Sequence, residues 1–275
     1  MQVGIVGVGT MGGPIAANLA RAGHDVLAYD LDPAALASLA AHGVGNCTSS
    51  ADAGRGRDIV HVVVFTDEQV REAVMGVDGN GGLISTMSPG ATIVVHSTVR
   101  PQTCIDLADR ASASQIDLID AAMTGTVAAA NDGTLTLLVG GRADVVERCA
   151  PEFEAFSQRL VHVGSTGTGA LAKIINNVLV LANAEALREC IALAAAAGTH
   201  ESTILEVVNA STSQSWVSAH WDAVRPTVDD VADPHNLAPM STKDCGLARE
   251  AATQYGSQLE IGELVQDRLA HIVRP

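Results

Sequence analysis

The chain has 275 residues, of which 47% are hydrophobic and 17% charged, so it is a globular protein of one large or two ordinary domains and not a disordered one. Its formal net charge of −15 argues against a nucleic-acid partner and against docking on anionic membranes, because both need clustered Lys and Arg. Five scattered cysteines without a C-x-x-C pair favour reduced thiols, and no metal site is predicted. No signal peptide and no uninterrupted membrane-length apolar stretch is evident, so a cytoplasmic protein is expected.

The first part of the chain alternates short apolar strands with helices, the pattern of a parallel sheet covered on both faces. The predicted strands are Val3–Val6, Asp25–Tyr29, Ile59–Val64, Thr92–His96, Asp117–Asp120, Thr134–Val139 and Leu160–Val163. The predicted helices between them are Met11–Ala22, Pro33–His42, Asp67–Met75, Pro101–Ala111 and Ala143–Phe156.

After Gly164 the β-type alternation ends and an alanine-rich helical run covers residues 168 to 197. Further helices are predicted at Glu201–Asn209, Lys243–Tyr255 and Glu260–Ile272, and residues 210 to 240 are predicted to form a long loop near a site. The expected fold is therefore α/β, with a Rossmann-type doubly wound sheet in residues 1–163 followed by an all-helical domain in residues 164–275.

A glycine motif follows the first strand. Gly7, Gly9 and Gly12 form G-x-G-x-x-G at the start of a helix, where the pyrophosphate of a dinucleotide can approach the backbone. Asp30 ends the second strand, 23 residues after Gly7, where a carboxylate accepts hydrogen bonds from the adenosine ribose and repels a 2′-phosphate. NAD is therefore favoured over NADP. The alternative is a glycine-rich turn followed by a capping aspartate.

A second motif, G-T-G-A-L-A-K-I-I-N-N, carries Lys173 and Asn177 four residues apart on one helix face. Only two of the 16 basic residues are lysines, at 173 and 243. An arginine stays protonated, whereas a desolvated lysine can exchange a proton near neutral pH, so Lys173 is the candidate acid/base group. The alternative is a lysine that extends its head group to solvent and has no role.

Two further segments are less specific. In D-A-A-M-T-G-T, Asp120 is predicted to end a strand, and Thr124, Gly125 and Thr126 open the next helix, where hydroxyl and N–H groups can hold a carboxylate. An ordinary N-capped helix is the alternative. In S-T-K-D, Lys243 is predicted at a helix start beside an aspartate, either in a site or as a solvated pair.

Together these motifs resemble the β-hydroxyacid dehydrogenase family, which includes 3-hydroxyisobutyrate dehydrogenase and tartronate semialdehyde reductase. The matching segments occur in the family's order and cover nearly the whole chain: residues 7–19, 96–101, 120–141, 167–177 and 243–244. The resemblance implies a Rossmann domain, a helical domain that carries the catalytic lysine, a small hydroxy-acid substrate and assembly as a homodimer or homotetramer through the helical domains.

The resemblance also implies roles for individual residues. Lys173 corresponds to the acid/base lysine and Asn177 to its substrate-orienting partner, while Thr124, Gly125 and Thr126 stand where the family usually has its Ser-Gly-Gly carboxylate loop. The residues expected at the cofactor, from the motifs and the resemblance together, are Gly7, Gly9, Thr10, Met11, Gly12, Asp30, Phe65, Thr66, Thr98 and Lys243.

The predicted activity is the reversible, NAD-dependent oxidation of a small 3-hydroxy acid, similar to 3-hydroxyisobutyrate, to its semialdehyde or keto acid. Lys173 would take the hydroxyl proton during oxidation, with its pKa lowered by burial. Two alternatives remain: an imine reductase on the same scaffold, and a non-catalytic protein that binds a dinucleotide or serves as a scaffold. A decarboxylating sugar-phosphate dehydrogenase is disfavoured, because the chain is short and offers no evident Arg cluster for a phosphate. The residues do not choose among 3-hydroxyisobutyrate, glycerate-type acids, threonate and larger β-hydroxy acids.

Overall fold

A computed structural model describes residues 1–229 and 238–273 of the chain. The chain divides into two compact units, Met1–Lys173 and Ile174–Pro275. Within the described ranges, none of the helices is long and apolar enough to cross a membrane.

The first unit is built on an eight-stranded sheet. The strands in chain order are β1 (Gln2–Val6), β2 (Asp25–Tyr29), β3 (Gly45–Asn46), β4 (Ile59–Val62), β5 (Gly76–Val77), β6 (Asn80–Gly81), β7 (Thr92–Val95), β8 (Asp117–Thr124), β9 (Leu135–Gly140) and β10 (Ser157–Gly164). The sheet has the order β10-β9-β8-β7-β4-β1-β2-β3, while β5 and β6 form a separate hairpin. Strands β1, β2, β3, β4, β7 and β8 are parallel, and β9 runs antiparallel to β8.

Helices cover this sheet because its central strands are buried on both faces. They are α1 (Gly12–Arg21), α2 (Pro33–Leu39), α3 (Ser50–Gly54), α4 (Asp67–Met75), α5 (Pro101–Ser112), α6 (Val127–Asn131) and α7 (Ala143–Phe153). The side chains form two clusters, one on each face: Ile5, Val94, Ile119 and Phe156 belong to the first, and Leu118 belongs to the second.

Helix α8 (Thr168–Ala196) begins in the first unit and continues through the second. The helices that follow are α9 (Glu201–Asn209), α10 (Trp216–Ala219), α11 (Trp221–Asp229), α12 (Ala238–Gln254) and α13 (Glu260–Val273). Small apolar clusters hold them together; one contains Leu187, Val217 and Trp221.

The predicted fold class is confirmed: a doubly wound, mixed sheet is followed by a helical region. The predicted loop at 210–240 is wrong, because α10, α11 and the start of α12 occupy most of it; residues 230–237 of that loop lie outside the described residues. Helices α10 and α11 form because Trp221 packs into the apolar core there, which overrides the turn-rich composition. Strand β3, helix α3 and the β5–β6 hairpin were not predicted, since each has only two to five residues.

Candidate active site

The glycine turn after β1 is required by packing. Gly7 has a φ of +91°, and a Cβ atom there would overlap the carbonyl oxygen of Val63. A Cβ atom at Gly12 would in turn overlap the carbonyl oxygen of Gly7. Both positions therefore need glycine so that β1, β4 and the first turn of α1 can approach one another.

Gly9 differs from these two glycines. A Cβ atom built on Gly9 meets no other atom within 4 Å, so the fold itself does not require glycine there. The space lies at the beginning of the 10-residue helix α1, beside Thr10 and Met11. A side chain would fill this space, and a pyrophosphate needs it in order to reach the backbone N–H groups. These residues fit a dinucleotide cofactor.

Asp30 is held against the glycine turn. Its Oδ2 accepts a hydrogen bond from the N–H of Val8 at 2.7 Å, and its Oδ1 accepts one from the N–H of Asp32 at 2.9 Å. Asp32 itself caps α2 through the N–H of Ala34. A fixed negative charge therefore lies at the end of β2, where an adenosine 2′-phosphate would be repelled.

The loops after β4 and β7, which carry Phe65, Thr66 and Thr98, are joined by a residue that sequence reasoning missed. The buried carboxylate of Asp67 accepts hydrogen bonds from the N–H of Arg100 at 3.0 Å and the hydroxyl of Thr103. An Asp directly after the N-cap Thr66 looks like an ordinary first-turn acid, so only the tertiary structure shows this contact.

Strand β8 is longer than predicted and changes the interpretation of Asp120. The strand continues to Thr124, so Asp120 lies inside it rather than at its end. Its side chain, 1% exposed, accepts hydrogen bonds from the N–H of Gly167 to Oδ1 at 2.6 Å and from the N–H of Ala170 to Oδ2 at 2.7 Å. Burial raises the pKa of Asp120 to about 6, although the backbone N–H donors partly offset that rise.

The three residues of the expected carboxylate loop have different structural roles. Thr124 is the last residue of β8 and pairs with Thr136. Gly125 has a φ of +139°, a conformation that favours glycine. Thr126 caps the five-residue helix α6 by accepting the N–H of Ala129 at 3.2 Å. The prediction that all three residues open a helix is therefore wrong, because only Thr126 does so.

Lys173 lies in the second turn of α8, three residues after Ala170, and its side chain is half-buried. Asp120 therefore binds the backbone of α8 one turn before Lys173. Lys173 belongs to the first unit, as do Thr124, Gly125 and Thr126.

In the second unit the structure brings two of the sequence motifs together. The amide Nδ2 of Asn177 donates to Oδ2 of Asp244 at 2.7 Å, and Nζ of Lys243 lies 3.2 Å from Oδ1 of Asp244. Asp244 is 3% exposed, so the interpretation as a solvated pair is wrong. Lys243 lies inside α12 rather than at the helix start, because α12 begins at Ala238.

The predicted residues of the first unit follow the carboxyl ends of adjacent parallel strands, which meet at one edge of the sheet. They lie at the ends of β1 (Gly7 to Gly12), β2 (Asp30), β4 (Phe65 and Thr66), β7 (Thr98) and β8 (Thr124, its last residue, to Thr126). Their roles toward cofactor and substrate, and those of Asn177 and Lys243, stay predictions.

A second buried polar cluster lies in the same unit. His96 Nδ1 lies 2.6 Å from the carbonyl oxygen of Ala121, His96 Nε2 lies 2.8 Å from His61 Nδ1, and His61 Nε2 lies 2.8 Å from Glu152 Oε1. Burial lowers the pKa of His96 to about 3, so this histidine is neutral. None of these contacts involves α8.

Two family models together match almost the whole chain. Residues 2–164 match the NAD-binding domain of 6-phosphogluconate dehydrogenase. The chain belongs to the β-hydroxyacid dehydrogenase family. Residues 167–274 match the second model, described as NAD-binding of NADP-dependent 3-hydroxyisobutyrate dehydrogenase. Membership confirms the predicted enzyme class, a dehydrogenase of hydroxy acids with an NAD-binding domain.

Individual relatives agree with this assignment. An NAD-dependent L-serine dehydrogenase of Pseudomonas aeruginosa is 31% identical over 268 residues, which cover 96% of this chain and 89% of the relative. A 2-(hydroxymethyl)glutarate dehydrogenase of Eubacterium barkeri is 32% identical, with 92% and 83% covered. The solved structure of Mycobacterium tuberculosis 3-hydroxyisobutyrate dehydrogenase with L-serine has a TM-score of 0.87 at 28% identity, covering 98% and 94% of the two chains.

Proposed function

We propose that the chain oxidises a 3-hydroxy acid of the form HO–CH₂–CH(R)–COO⁻ to the corresponding semialdehyde, reversibly and with NAD, and that Lys173 is the acid/base group. One observation carries this proposal. The half-buried Lys173 follows the turn of α8 that Asp120 holds, and Asp120 lies on β8, the strand that ends at Thr124. A potential proton carrier and a potential carboxylate loop are thus attached to one strand.

The substrate class follows from what the relatives' named substrates share. L-serine, 3-hydroxyisobutyrate and 2-(hydroxymethyl)glutarate all have a primary alcohol on the carbon next to the one that bears the carboxylate. They differ only in R, which is an ammonium, a methyl or a carboxyethyl group. The constant part of these molecules is the part that a hydroxyl-lined loop and a lysine would recognise.

Each proposed residue has a chemical task. The loop from Thr124 to Thr126 holds the carboxylate with hydroxyl and N–H donors, while Lys173 as a neutral amine takes the alcohol proton. Asn177 orients the hydroxyl, and its own amide is fixed by Asp244. NAD, when bound, accepts the hydride from the carbinol carbon. In the reverse direction the ammonium of Lys173 returns the proton.

A variant pair tests the acid/base role. We expect Lys173→Ala to lower kcat for 3-hydroxyisobutyrate by about 10²–10⁴-fold, since this is the typical contribution of general acid–base catalysis. Lys173→Arg keeps the charge but cannot become neutral, so it should be about as inactive. NAD binding by both variants, followed by calorimetry, is the control. A loss of less than about tenfold in Lys173→Ala would contradict the proposal.

A substrate panel tests the class. The panel varies R among hydrogen, methyl, hydroxyl, ammonium and carboxyethyl, and NADH formation is followed at each. A cyclic imine with NADPH is the comparison for the imine reductase alternative. Turnover of the imine without turnover of any hydroxy acid would overturn the proposal.

Asp30 should select NAD over NADP. We expect Asp30→Ser to lower the ratio of kcat/KM for NAD to that for NADP by at least about tenfold, because the charge that opposes a 2′-phosphate is removed. Lys243→Ala should raise KM for NAD if Lys243 contacts the cofactor. An unchanged NAD/NADP ratio in Asp30→Ser would exclude this role for Asp30.

We infer further that the helical unit self-associates. Several large apolar side chains of α8 and α13 are exposed, among them Leu179 at 60% and Ile261 at 64%. Exposed apolar side chains of this size are typical of interfaces. Light scattering of the wild type and of Leu179→Asp tests this: a wild-type monomer would contradict it.

A further inference from the structure

We propose that Asp120 is a positioning residue for Lys173: its buried carboxylate clamps the beginning of α8 onto strand β8 and so fixes where the lysine lies relative to the loop from Thr124 to Thr126. This inference rests on the proposed acid/base role of Lys173. Every residue that carries it lies in the first unit.

Two separate hydrogen bonds make the clamp. Oδ1 of Asp120 accepts from the N–H of Gly167, just before α8, and Oδ2 accepts from the N–H of Ala170 in its first turn. Because the two donors are three residues apart and bind different oxygens, neither a rotation nor a slide of the helix keeps both bonds. The N–H groups of a first helical turn have no partner inside the helix, so the carboxylate also satisfies donors that would otherwise be orphaned.

Two glycines leave room for the carboxylate. A Cβ atom at Gly140, the last residue of β9, would lie 2.8 Å from both oxygens of Asp120. A Cβ atom at Gly169 would lie 2.8 Å from Oδ2. Gly169 is the second glycine of the G-x-G that precedes Lys173, and its Cβ atom would also overlap the carbonyl oxygen of Leu138. Close packing against β9 and against Asp120 together therefore requires glycine at this position.

The clamp is close enough to control the lysine. Lys173 follows Ala170 by three residues, which corresponds to a rise of about 4.5 Å along a helix. Thr124 follows Asp120 by four residues, about 13 Å along a strand. A one-residue slip of α8 on β8 would move the amine by about 1.5 Å and turn it through about 100°. A displacement of about 1 Å of a reacting group can reduce turnover about 10²-fold.

Two titratable side chains on neighbouring elements lie close to Asp120 or to the next residue of its strand, and both are neutral. Burial raises the pKa of the Cys104 thiol on α5 well above its usual range, so that thiol is neutral beside Asp120. His96, which binds the carbonyl of the adjacent Ala121, is neutral as well. Lys173 is the one titratable group on α8 within the first unit.

The first experiment compares two isosteric variants. Asp120→Asn keeps the shape but turns an amide N–H₂ toward one of the two backbone donors, so we expect kcat to fall by about 10- to 100-fold. NAD affinity should change by less than about threefold, because the glycine turn is not touched. Glu152→Gln is the matched control: it also replaces a buried carboxyl group of the first unit by an amide, but the Glu152 side chain contacts His61 and not α8, so its kcat should stay within about threefold of the wild type.

The second experiment separates positioning from a general structural effect. If Asp120 acts through Lys173, Asp120→Asn in a Lys173→Ala background should lower kcat no further than about threefold. Multiplicative losses in the double variant would overturn the proposal, as would a kcat for Asp120→Asn equal to that of Glu152→Gln. An active Lys173→Ala would instead overturn the proposed function, so the two failures are distinguishable.

If Asp120→Asn shows no cooperative thermal transition and is therefore not folded, the pH dependence of kcat in the wild type tests the proposal instead. Protonation of Asp120, whose pKa burial raises to about 6, removes one acceptor, so kcat should fall below that pH both for 3-hydroxyisobutyrate with NAD and for its semialdehyde with NADH. Protonation of Lys173 lowers the rate only in the oxidation direction, because reduction uses the ammonium. An acid limb confined to oxidation would overturn the proposal.

Discussion

Each face of strand β8 has a buried polar cluster that contains one acidic residue. The two clusters bind different parts of the chain. Asp120 points to the side of Leu118 and Ala170 and binds the first N–H groups of α8. The chain Glu152–His61–His96 lies on the other side and binds the carbonyl oxygen of Ala121, the next residue of the strand.

The difference shows that burial of a titratable group does not by itself mark a functional site. Glu152 and the two histidines are buried, as Asp120 is, and two phenylalanine rings, Phe153 and Phe156, pack against the histidines. Their polar contacts, however, are with β8 and with one another. Of the two clusters, Asp120 is the one that contacts the segment leading to Lys173, so a change in the charge of Asp120 can affect the proposed chemistry.

Counting donors shows how the histidine cluster is protonated. A carbonyl oxygen only accepts, so Nδ1 of His96 carries a proton, and Nε2 of this neutral ring accepts from His61 Nδ1.

Removing Glu152 should give the largest stability effect. Glu152→Ala leaves Nε2 of His61 without its partner in an apolar core and opens a cavity, so we expect a loss of about 3–5 kcal/mol in the free energy of unfolding. Glu152→Gln can still form a hydrogen bond with His61 and should cost only about 1 kcal/mol. Urea unfolding measures both. If the fully folded Glu152→Gln variant loses more than about tenfold in kcat, the histidine cluster does affect turnover, and the distinction drawn between the two clusters is wrong.

The pH dependence of stability should distinguish Asp120 from a surface carboxylate. Burial raises the pKa of Asp120 from its usual 3.8 to about 6, so the folded state binds the proton more tightly than the unfolded state. This stabilisation is complete below about pH 3.8 and is lost as the pH rises through 6, a change of roughly 3 kcal/mol. The difference in unfolding free energy between the wild type and Asp120→Asn should therefore decrease across that range.

Asp106 is the matched control, with the opposite sign. The hydrogen bond from Gln102 lowers the pKa of this partly exposed carboxylate below its usual 3.8. Its contribution is present above that value and is lost as the pH falls through the lowered pKa. If the difference in unfolding free energy between the wild type and Asp120→Asn does not change with pH, the N–H donors fully offset the effect of burial on the pKa of Asp120.

The sequence predicted the parts of this site that depend on local patterns. The glycine turn, Asp30 and the helix of Lys173 each follow from a run of neighbouring residues, and the structure has them where they were predicted. Asp120 was misplaced because a single acid among apolar residues is typical of a strand end, and only the partners on α8 allow it inside β8.

Contacts between distant segments could not be predicted from one sequence. Asp67 joins two loops 33 residues apart, and Asp244 binds an amide 67 residues away. The residues around each of these two carboxylates look the same as those around an ordinary acidic residue on a helix. The His61–His96–Glu152 cluster joins β4, the residue after β7 and α7, and each histidine alone is ambiguous.

A methyl group beside Asp120 should have an intermediate effect. Gly169→Ala places its Cβ atom 2.8 Å from Oδ2 of Asp120 and against the carbonyl oxygen of Leu138, so α8 must shift. We expect a loss of about 1–3 kcal/mol in stability, as in other overpacked cores, together with a lower kcat. Gly246→Ala on α12 is the control, since its Cβ atom meets only the end of Gln266 at 3.5 Å and should stabilise by up to about 1 kcal/mol. An unchanged kcat in folded Gly169→Ala would show that turnover does not depend on the position of α8 relative to β8.

The smallest effect is expected at the end of β8, where Thr126 has two possible tasks. Its hydroxyl oxygen accepts the N–H of Ala129, which leaves the hydroxyl hydrogen available to a substrate carboxylate. Thr126→Gly should cost only a few tenths of a kcal/mol, about the difference between Thr and Gly as caps. One lost hydrogen bond of about 1 kcal/mol should raise KM for 3-hydroxyisobutyrate about fivefold while kcat stays nearly constant. Thr126→Ser, which keeps the hydroxyl, should restore KM. If KM does not change in the glycine variant, Thr126 only caps α6, and the carboxylate depends on other donors of the loop.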